Sequence, residues 1–458
     1  MSTQPVPHSD PTGGAVPGSG NDPELVPGTV QAGPAAAPAP GPRTVEAHRA
    51  AVLDLLRTWF QRHPPATETL HLADAVGRVL ADDVHAPGNL PPFTNSQMDG
   101  YAVRSADLAL PGAGAADADS ASGRVRLATG DPIAAGTAPV PLQSRTAAPV
   151  MTGAMLPAGA DAVVPIEACV PDHFLPAGAG GSVELPAGIP AGQFVRAAGS
   201  DIAADALALP AGTVLGTLQL GLLAGLGLAE VSVQTRPRIL LLTTGDEVRD
   251  PGAVLAPGQI HDANTTLLRT SLEQAGAQVL RSRILADSPE EFSARLRADL
   301  AADAPDLVLS SGGISKGAYE VVRQALSTAD VRFLSVAMQP GGPQGIGTVD
   351  GVPFLGFPGN PVSSLVSFEM FLRPALTAAA GAPRPRTQVQ ARLAAPLGSP
   401  AGKHQLRRGR YTDGTVEPVG GPGSHLIHAL AASNALIEVP VGTEHLPAGA
   451  EVTVLLLD

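Results

Sequence analysis

The chain has 458 residues, enough for two to four domains, and a formal net charge of −13. That balance lacks the basic footprint of a nucleic-acid or membrane-surface protein. A single cysteine, Cys169, excludes an internal disulfide and any site built from several thiolates, and the 3% aromatic content predicts aliphatic, alanine-rich cores.

Residues 1–43 hold 17 prolines and glycines and almost no large apolar residue, which predicts a disordered tail. The start is polar, without the basic and apolar run of a signal peptide, so a cytoplasmic protein is expected. A helix begins at Thr44, with Val45, Ala51, Val52, Leu55, Leu56 and Phe60 on its apolar face, and Pro64-Pro65 ends it. Leu70 to Val84 reads as a second short helix with turns. From about 88 to 235 short strands alternate with Gly/Pro turns, predicting two small β-rich subdomains, with Ala/Gly loops at Gly112–Gly123 and Ala177–Ser182. Leu215 to Leu226 reads as a helix, and its surroundings from Val214 to Val231 are too short and too broken to span a bilayer. The lone Cys169 reads as a buried, inert thiol.

At Arg236 the pattern turns to β-α alternation. Strands are expected at 238–243, 277–284, 306–310, 331–337 and 353–357, and helices at 264–275, 289–301, 317–327 and 361–379. Residues 389–457 alternate apolar and polar with Gly turns, an all-β ending. The expected division is therefore a tail (1–43), an N-terminal region (44–235), a doubly wound α/β domain (236–382) and a small β domain (383–458).

Three apolar strands run into glycine-containing polar loops. These are Thr244-Gly245-Asp246-Glu247, Ser311-Gly312-Gly313-Ile314-Ser315-Lys316 and Pro358-Gly359-Asn360-Pro361-Val362-Ser363. In a parallel sheet such loops gather beyond the carboxyl ends of the strands, where open α/β sheets bind ligands. Glycine lets backbone N–H groups approach an anion, so these loops suit a phosphorylated ligand. Asp246 and Glu247 are placed to hold Mg²⁺ against phosphate oxygens; the other reading is a solvated turn. Asp262, in His261-Asp262-Ala263-Asn264, has an ordinary role open to it as a helix cap. Glu320 falls on a first helical turn, and Pro361 at a helix start. The eleven histidines show no metal-ligand spacing, and no nucleophile elbow or Cys/His pair is apparent.

Seven segments, in order, resemble the MoeA family of molybdopterin molybdenumtransferases, related to the E domain of gephyrin. They are Asn95–Val103, Met151–Ala154 with Asp161–Val164, Gly199–Ile202, Thr244–Glu247, Ser311–Ser315, Pro358–Ser363 and Gly423–His425. The resemblance runs from about residue 44 to the end. It implies a MogA-like doubly wound α/β domain, β-rich N-terminal subdomains and a small C-terminal β-barrel. It also implies an enzyme that takes adenylylated molybdopterin and molybdate with Mg²⁺, inserts molybdenum and releases AMP. A homodimer with its active site between subunits is implied as well. The family's functional residues fall on Asp99, Thr152, Arg196, Asp201, Glu247 and Asp287, with the substrate on Thr244, Gly245, Ser311, Gly312, Gly313, Ser315, Lys316, Glu320, Pro358, Gly359, Asn360, Pro361 and Ser363.

The chain departs from the family pattern at several positions. Many members carry lysines where Ser335, Gln339 and Gly342 stand, an Asp at Glu320 and an acid at Ala318; Lys316 is placed to restore the missing positive charge. Two other readings are a molybdopterin adenylyltransferase, which usually lacks the regions 88–235 and 389–457, and a non-catalytic pterin-binding scaffold.

Overall fold

The computed structural model describes residues 41–109, 118–119, 123–176, 181–285, 288–314, 320–381 and 385–457. Most of the expected tail and of the loop at Gly112–Gly123, and part of the loop at Ala177–Ser182, lie outside them. The start of the helix expected at 317–327 also lies outside, and Val321–Ala325 is helical.

A six-stranded α/β sheet supports the site. Its strands run in the order Gln278–Leu285, Arg238–Thr244, Leu307–Ser311, Val352–Phe357, Pro343–Val349 and Asp330–Ser335. The first four are parallel, and each later neighbour pairs antiparallel. Leu240, Leu241 and Leu242, like Leu307, Val308 and Leu309, are buried whichever face they take, because helices cover both sides. The strand Pro343–Val349 was not expected from sequence. Gly345 and Gly347 dilute its β signal, yet the sheet needs them: a Cβ on Gly347 would lie 1.9 Å from the Asp330 carbonyl oxygen, and one on Gly345 3.3 Å from Gly356.

Helix Val45–Arg62 starts on the Thr44 hydroxyl, which accepts from the Ala47 N–H at 3.1 Å. Val52, Leu56 and Phe60 share one core with Phe371, Leu372 and Leu376 of the C-terminal helices and with Ile239 and Leu309 of the sheet. The expected helix at 361–379 forms as Pro361–Ser367 and Arg373–Ala380 around a π-helical turn, Phe368–Leu372. Pro374 has no N–H for the Met370 carbonyl, and Arg49 Nε of the first helix donates to it at 3.1 Å instead.

His48 is fully buried, with its ring edge-on to Phe371 at 4.6 Å. Desolvation, with the Arg43 guanidinium adding to it, lowers its pKa to about 4. The unfolded chain therefore binds one more proton than the fold between pH 6.5 and about 4. Stability present above 6.5 should fall by roughly 3 kcal/mol across that window and then level off. Urea melts at stepped pH measure this, and His48→Phe should flatten that part of the profile.

The expected helix at Leu70–Val84 is corrected. Thr67–His71 is a strand paired antiparallel with Glu230–Gln234, followed by a single 3-10 turn at Leu72–Asp74 and a short strand, Val84–His85. Gly77, at φ +74, turns the chain where a helix would have to continue. The helix expected at Leu215–Leu226 forms as Thr217–Gly225. Gly100–Val103 lies between Thr146–Val150 and Ala162–Pro165 in a second sheet, over a core of Tyr101, Val103, Leu127, Val164 and Leu185. Cys169 is buried in it, its thiol donating to the Pro165 carbonyl at 3.2 Å and its pKa pushed up to about 11 by burial.

At the C-terminal end, His404–Thr412, Thr415–Pro418, Gln388–Leu393, Glu451–Leu456 and Ala435–Val439 close into a five-stranded barrel, because the last pairs back with the first. Among the described residues no helix is long and apolar enough to cross a membrane.

Candidate active site

The three glycine loops meet at the carboxyl edge of the parallel strands. Gly312 and Gly313 have φ of +94 and +64, and a Cβ on either would lie 2.9 Å from an atom of Thr244. Glycine is therefore required for this loop to press against the first one. Asn264 fastens the third loop: its Nδ2 donates to Ser311 Oγ at 3.0 Å and to the Gly359 carbonyl at 2.5 Å. Ser364 Oγ donates to the Pro358 carbonyl at 2.5 Å, and Ser311 Oγ lies 3.2 Å from Ser364 Oγ. Ser311 is thus a buried tie beneath the loops.

Above this floor lies a cavity of about 1060 Å³. Thr244, Gly245, Glu247, Gly312, Gly313, Glu320, Pro358, Gly359, Asn360, Pro361 and Ser363 all line it, so eleven of the expected substrate and acid positions share one space. Asp246 is exposed and is not among the lining residues; its carbonyl accepts from Arg249 Nη1 at 2.8 Å. Ser315, Lys316 and Asp287 lie outside the described residues.

The second wall belongs to parts of the chain far off in sequence. Lys403, Gly423, Ser424 and His425 come from the barrel domain, Ser335 from the end of the strand Asp330–Ser335, and Gln339 and Gly342 from the segment after it. Arg43 clamps this stretch, donating its N–H to the Ser335 carbonyl and accepting from the Ala337 N–H, both at 2.8 Å.

Asp262 takes the capping role open to it: Oδ1 accepts from the Thr265 N–H at 3.0 Å. It also lines the cavity, is only 5% exposed, and its Oδ2 has no hydrogen-bond partner; the buried Thr244 Oγ1 is likewise unpartnered. Among the described residues no three His, Cys, Asp or Glu side chains form a metal cluster.

Asp99, Thr152, Arg196 and Asp201 do not line this cavity. They lie in the β-rich N-terminal region. Asp99 Oδ1 accepts from the Thr152 N–H at 2.6 Å and from its hydroxyl at 2.8 Å, and these bonds hold the carboxyl below its usual range. Val195–Arg196 pairs with Asn95–Ser96, whose Ser96 N–H and carbonyl bond Ala154 and Gly153. Asp201 donates its N–H to the Leu90 carbonyl at 3.0 Å. Segments that look like separate turns in the sequence are thus joined, Met151–Ala154 and Val195–Arg196 both bonding to Asn95–Ser96.

Comparison with known sequences supplies the decisive observation. Profiles of the MoeA N-terminal region (domain I and II), a probable molybdopterin binding domain and the MoeA C-terminal region (domain IV) match residues 43–227, 240–378 and 390–457. The chain is 41% identical over 423 residues to a Mycobacterium tuberculosis protein named molybdopterin molybdenumtransferase 2, covering 90% of this chain and 99% of that one. The chain belongs to the MoeA family. A Haemophilus influenzae relative named molybdopterin molybdenumtransferase is 33% identical over 85% of this chain and 94% of its own. The crystal structure of a molybdopterin biosynthesis MoeA protein from Pyrococcus horikoshii superposes with a TM-score of 0.72 at 29% identity, covering 89% and 98% of the two chains. The MoeA assignment accounts for the order of domains seen here: β-rich region, α/β domain, closed barrel.

Proposed function

We infer that this MoeA chain is a molybdopterin molybdenumtransferase, acting in molybdenum cofactor biosynthesis on adenylylated molybdopterin and molybdate. Molybdenum is placed on the dithiolene sulfurs and AMP is released. The supporting observation is the single cavity in which Glu247, the Gly312–Gly313 turn and the Gly359–Asn360 turn face one another. The backbone N–H of Gly313 suits a phosphate, while that of Gly312 is given to the Phe357 carbonyl at 3.0 Å, and the space suits a ligand larger than a mononucleotide. Fixed dipoles and positioning, rather than a covalent nucleophile, are what this site offers the reaction.

A divalent cation such as Mg²⁺ fits the residues present. Glu247 and Asp262 line the same cavity, and Asp262 Oδ2 is a buried acceptor without a donor. Two carboxylates suffice, since Mg²⁺ takes much of its shell from water and substrate phosphates. The cation would neutralise phosphate charge when bound. This reading keeps Glu247 of the sequence-derived pair and puts Asp262 in the place of Asp246. Asp262→Asn should weaken Mn²⁺ binding about tenfold or more, read by electron paramagnetic resonance. In Mg²⁺-free buffer the variant should melt no lower than the parent, because it removes an unpaired buried carboxylate oxygen and keeps the Oδ1 cap. Unchanged Mn²⁺ affinity would remove Asp262 from the site.

The surface formed by Asp99, Thr152, Arg196 and Asp201 is read as the molybdate-facing wall, contributed by the second copy of a homodimer. The test is direct: supply adenylylated molybdopterin, molybdate and Mg²⁺, then assay AMP and metal-loaded pterin. Molybdate-dependent AMP release supports the assignment. Turnover of ATP with free molybdopterin would assign an adenylyltransferase instead, and binding without turnover a scaffold.

A further inference from the structure

Part of the cavity wall is a barrel loop that its own sequence does little to hold. Of residues 420–425, Gly420, Gly421 and Gly423 are glycine, yet Pro422, Gly423, Ser424 and His425 all line the cavity. Glycine-rich backbone loses the most conformational freedom when it is ordered. The loop is fastened on two sides. On the α/β side the Ser424 carbonyl accepts from the Val362 N–H at 3.1 Å. On the barrel side the fastening is a guanidinium. Arg408 Nη1 donates to the Gly423 carbonyl at 3.0 Å and Nη2 to the Gly421 carbonyl. The neighbouring Arg407 reaches the Gly420 carbonyl through Nη2 at 3.2 Å. Arg408 is held there at the expense of its own solvation. It is 3% exposed in the barrel strand His404–Thr412, and its Nε has no partner. Among the described residues no carboxylate pairs with it; burial pushes the guanidinium below its usual range, and Arg407 adds to the shift. An apolar side chain of similar volume often serves a fold as well as a buried ion does, or better. Packing therefore does not account for an arginine here, whereas the two loop carbonyls do.

We propose that Arg408 is a positioning residue for this site: acting through the Gly421 and Gly423 carbonyls, it fixes the barrel loop as a wall of the cavity and so sets substrate affinity. Arg408 itself is not among the lining residues, so its effect on substrate passes through the loop. The assignment rests on the functional reading above.

Arg408→Met and Arg408→Lys in the full chain test this. Arg408→Met should not lower the melting temperature, since it removes a buried charge that has no acid beside it. Hydrogen exchange should nevertheless speed up about tenfold or more at 420–425, through loss of two charge-assisted bonds, and stay at parental rates in the barrel strands. In molybdate-dependent AMP release, KM for at least one substrate should rise about tenfold with kcat little changed. Arg408→Lys, whose ammonium can still meet a carbonyl, should fall between the parent and Arg408→Met. Gly421 has no left-handed φ, and nothing lies within 4 Å of where its Cβ would stand. Adding Gly421→Ala to Arg408→Met therefore stiffens the untied loop and should recover about two- to fivefold of the lost KM. A lower melting temperature with faster exchange throughout the barrel and an unchanged KM would make Arg408 a packing residue and overturn the proposal. Unchanged exchange at 420–425 would overturn it as well. A parent that releases no AMP with molybdate would defeat the functional reading instead, and faster exchange confined to 420–425 in Arg408→Met would still uphold the tie.

Discussion

Glu247→Gln is expected to lower kcat/KM for molybdate-dependent AMP release by about 10²–10³-fold, with no change in the circular dichroism spectrum. The residue follows the strand Arg238–Thr244 and is exposed at the cavity, so the amide can replace the carboxylate without disturbing a packed neighbour. The loop itself holds: the Val248 N–H bonds the Gly245 carbonyl at 3.0 Å, and the Glu247 carbonyl accepts from the Ile260 N–H at 2.8 Å, both through backbone. What the change removes is the charge that would bind the divalent cation opposite Asp262. Asp246→Asn, one residue away but outside the cavity lining, should cost far less. A loss of similar size in the two variants would mean that general acidity of the turn, not a placed ligand, matters. The dimer reading adds a second arm. Mixing and reassembling Glu247→Gln with Asp99→Asn should recover about a quarter of parental activity, because half the dimers are mixed and each has one intact site. Absence of recovery would place both residues in one subunit's site.

The parts of this molecule legible in sequence share one property: a local signal that tertiary structure did not override. Arg238–Thr244, Leu307–Ser311 and Val352–Phe357 are buried on both faces, so they appear as unbroken apolar runs, and the glycines after two of them mark where the loops approach. Pro343–Val349 was hidden because close strand packing demanded glycine at 345 and 347, which weakens the very pattern that announces a strand. At Leu70–Val84 the expected helix gives way at its start to strand pairing, Leu70 and His71 lying opposite Val231 and Glu230, 159 or more residues away.

The site divides the same way. Glu247, Gly312–Gly313 and Gly359–Asn360 stand at strand ends, and one parallel sheet is enough to bring them together. Lys403 reaches the cavity through the pairing of the barrel with Met338–Gln339, and His425 through the loop whose Ser424 carbonyl accepts from the Val362 N–H at 3.1 Å, contacts that no spacing encodes. Asp262 carried a true but incomplete signal: its capping bond is local, while the unpartnered Oδ2 exists only because the neighbouring loops bury it. Asp99 and Thr152, 53 residues apart, looked like separate turns and prove to be hydrogen-bonded partners.

The largest stability loss should come from Glu369→Ala, about 3–5 kcal/mol in urea denaturation. Glu369 lies in the π-helical turn with its side chain 1% exposed. Arg373 Nε is 3.2 Å away, and Arg386 closes on the other oxygen at 3.0 Å. Burial already pushes the Arg373 guanidinium below its usual range, with Glu369 opposing it and Arg386 adding to it. Removing the carboxylate leaves two guanidiniums, 6% and 15% exposed, with each other and no acid. The two arginines tie the helix Arg373–Ala380 to the segment that leads into the barrel strand Gln388–Leu393, so the loss should spread to the barrel's attachment. Arg373→Met in the same chain should return much of the stability, since one arginine then no longer sits uncompensated in the core, and the double-mutant cycle should report a coupling of about 1–3 kcal/mol. A loss below about 1 kcal/mol for Glu369→Ala would show that water or rearrangement solvates these guanidiniums as well as the carboxylate does.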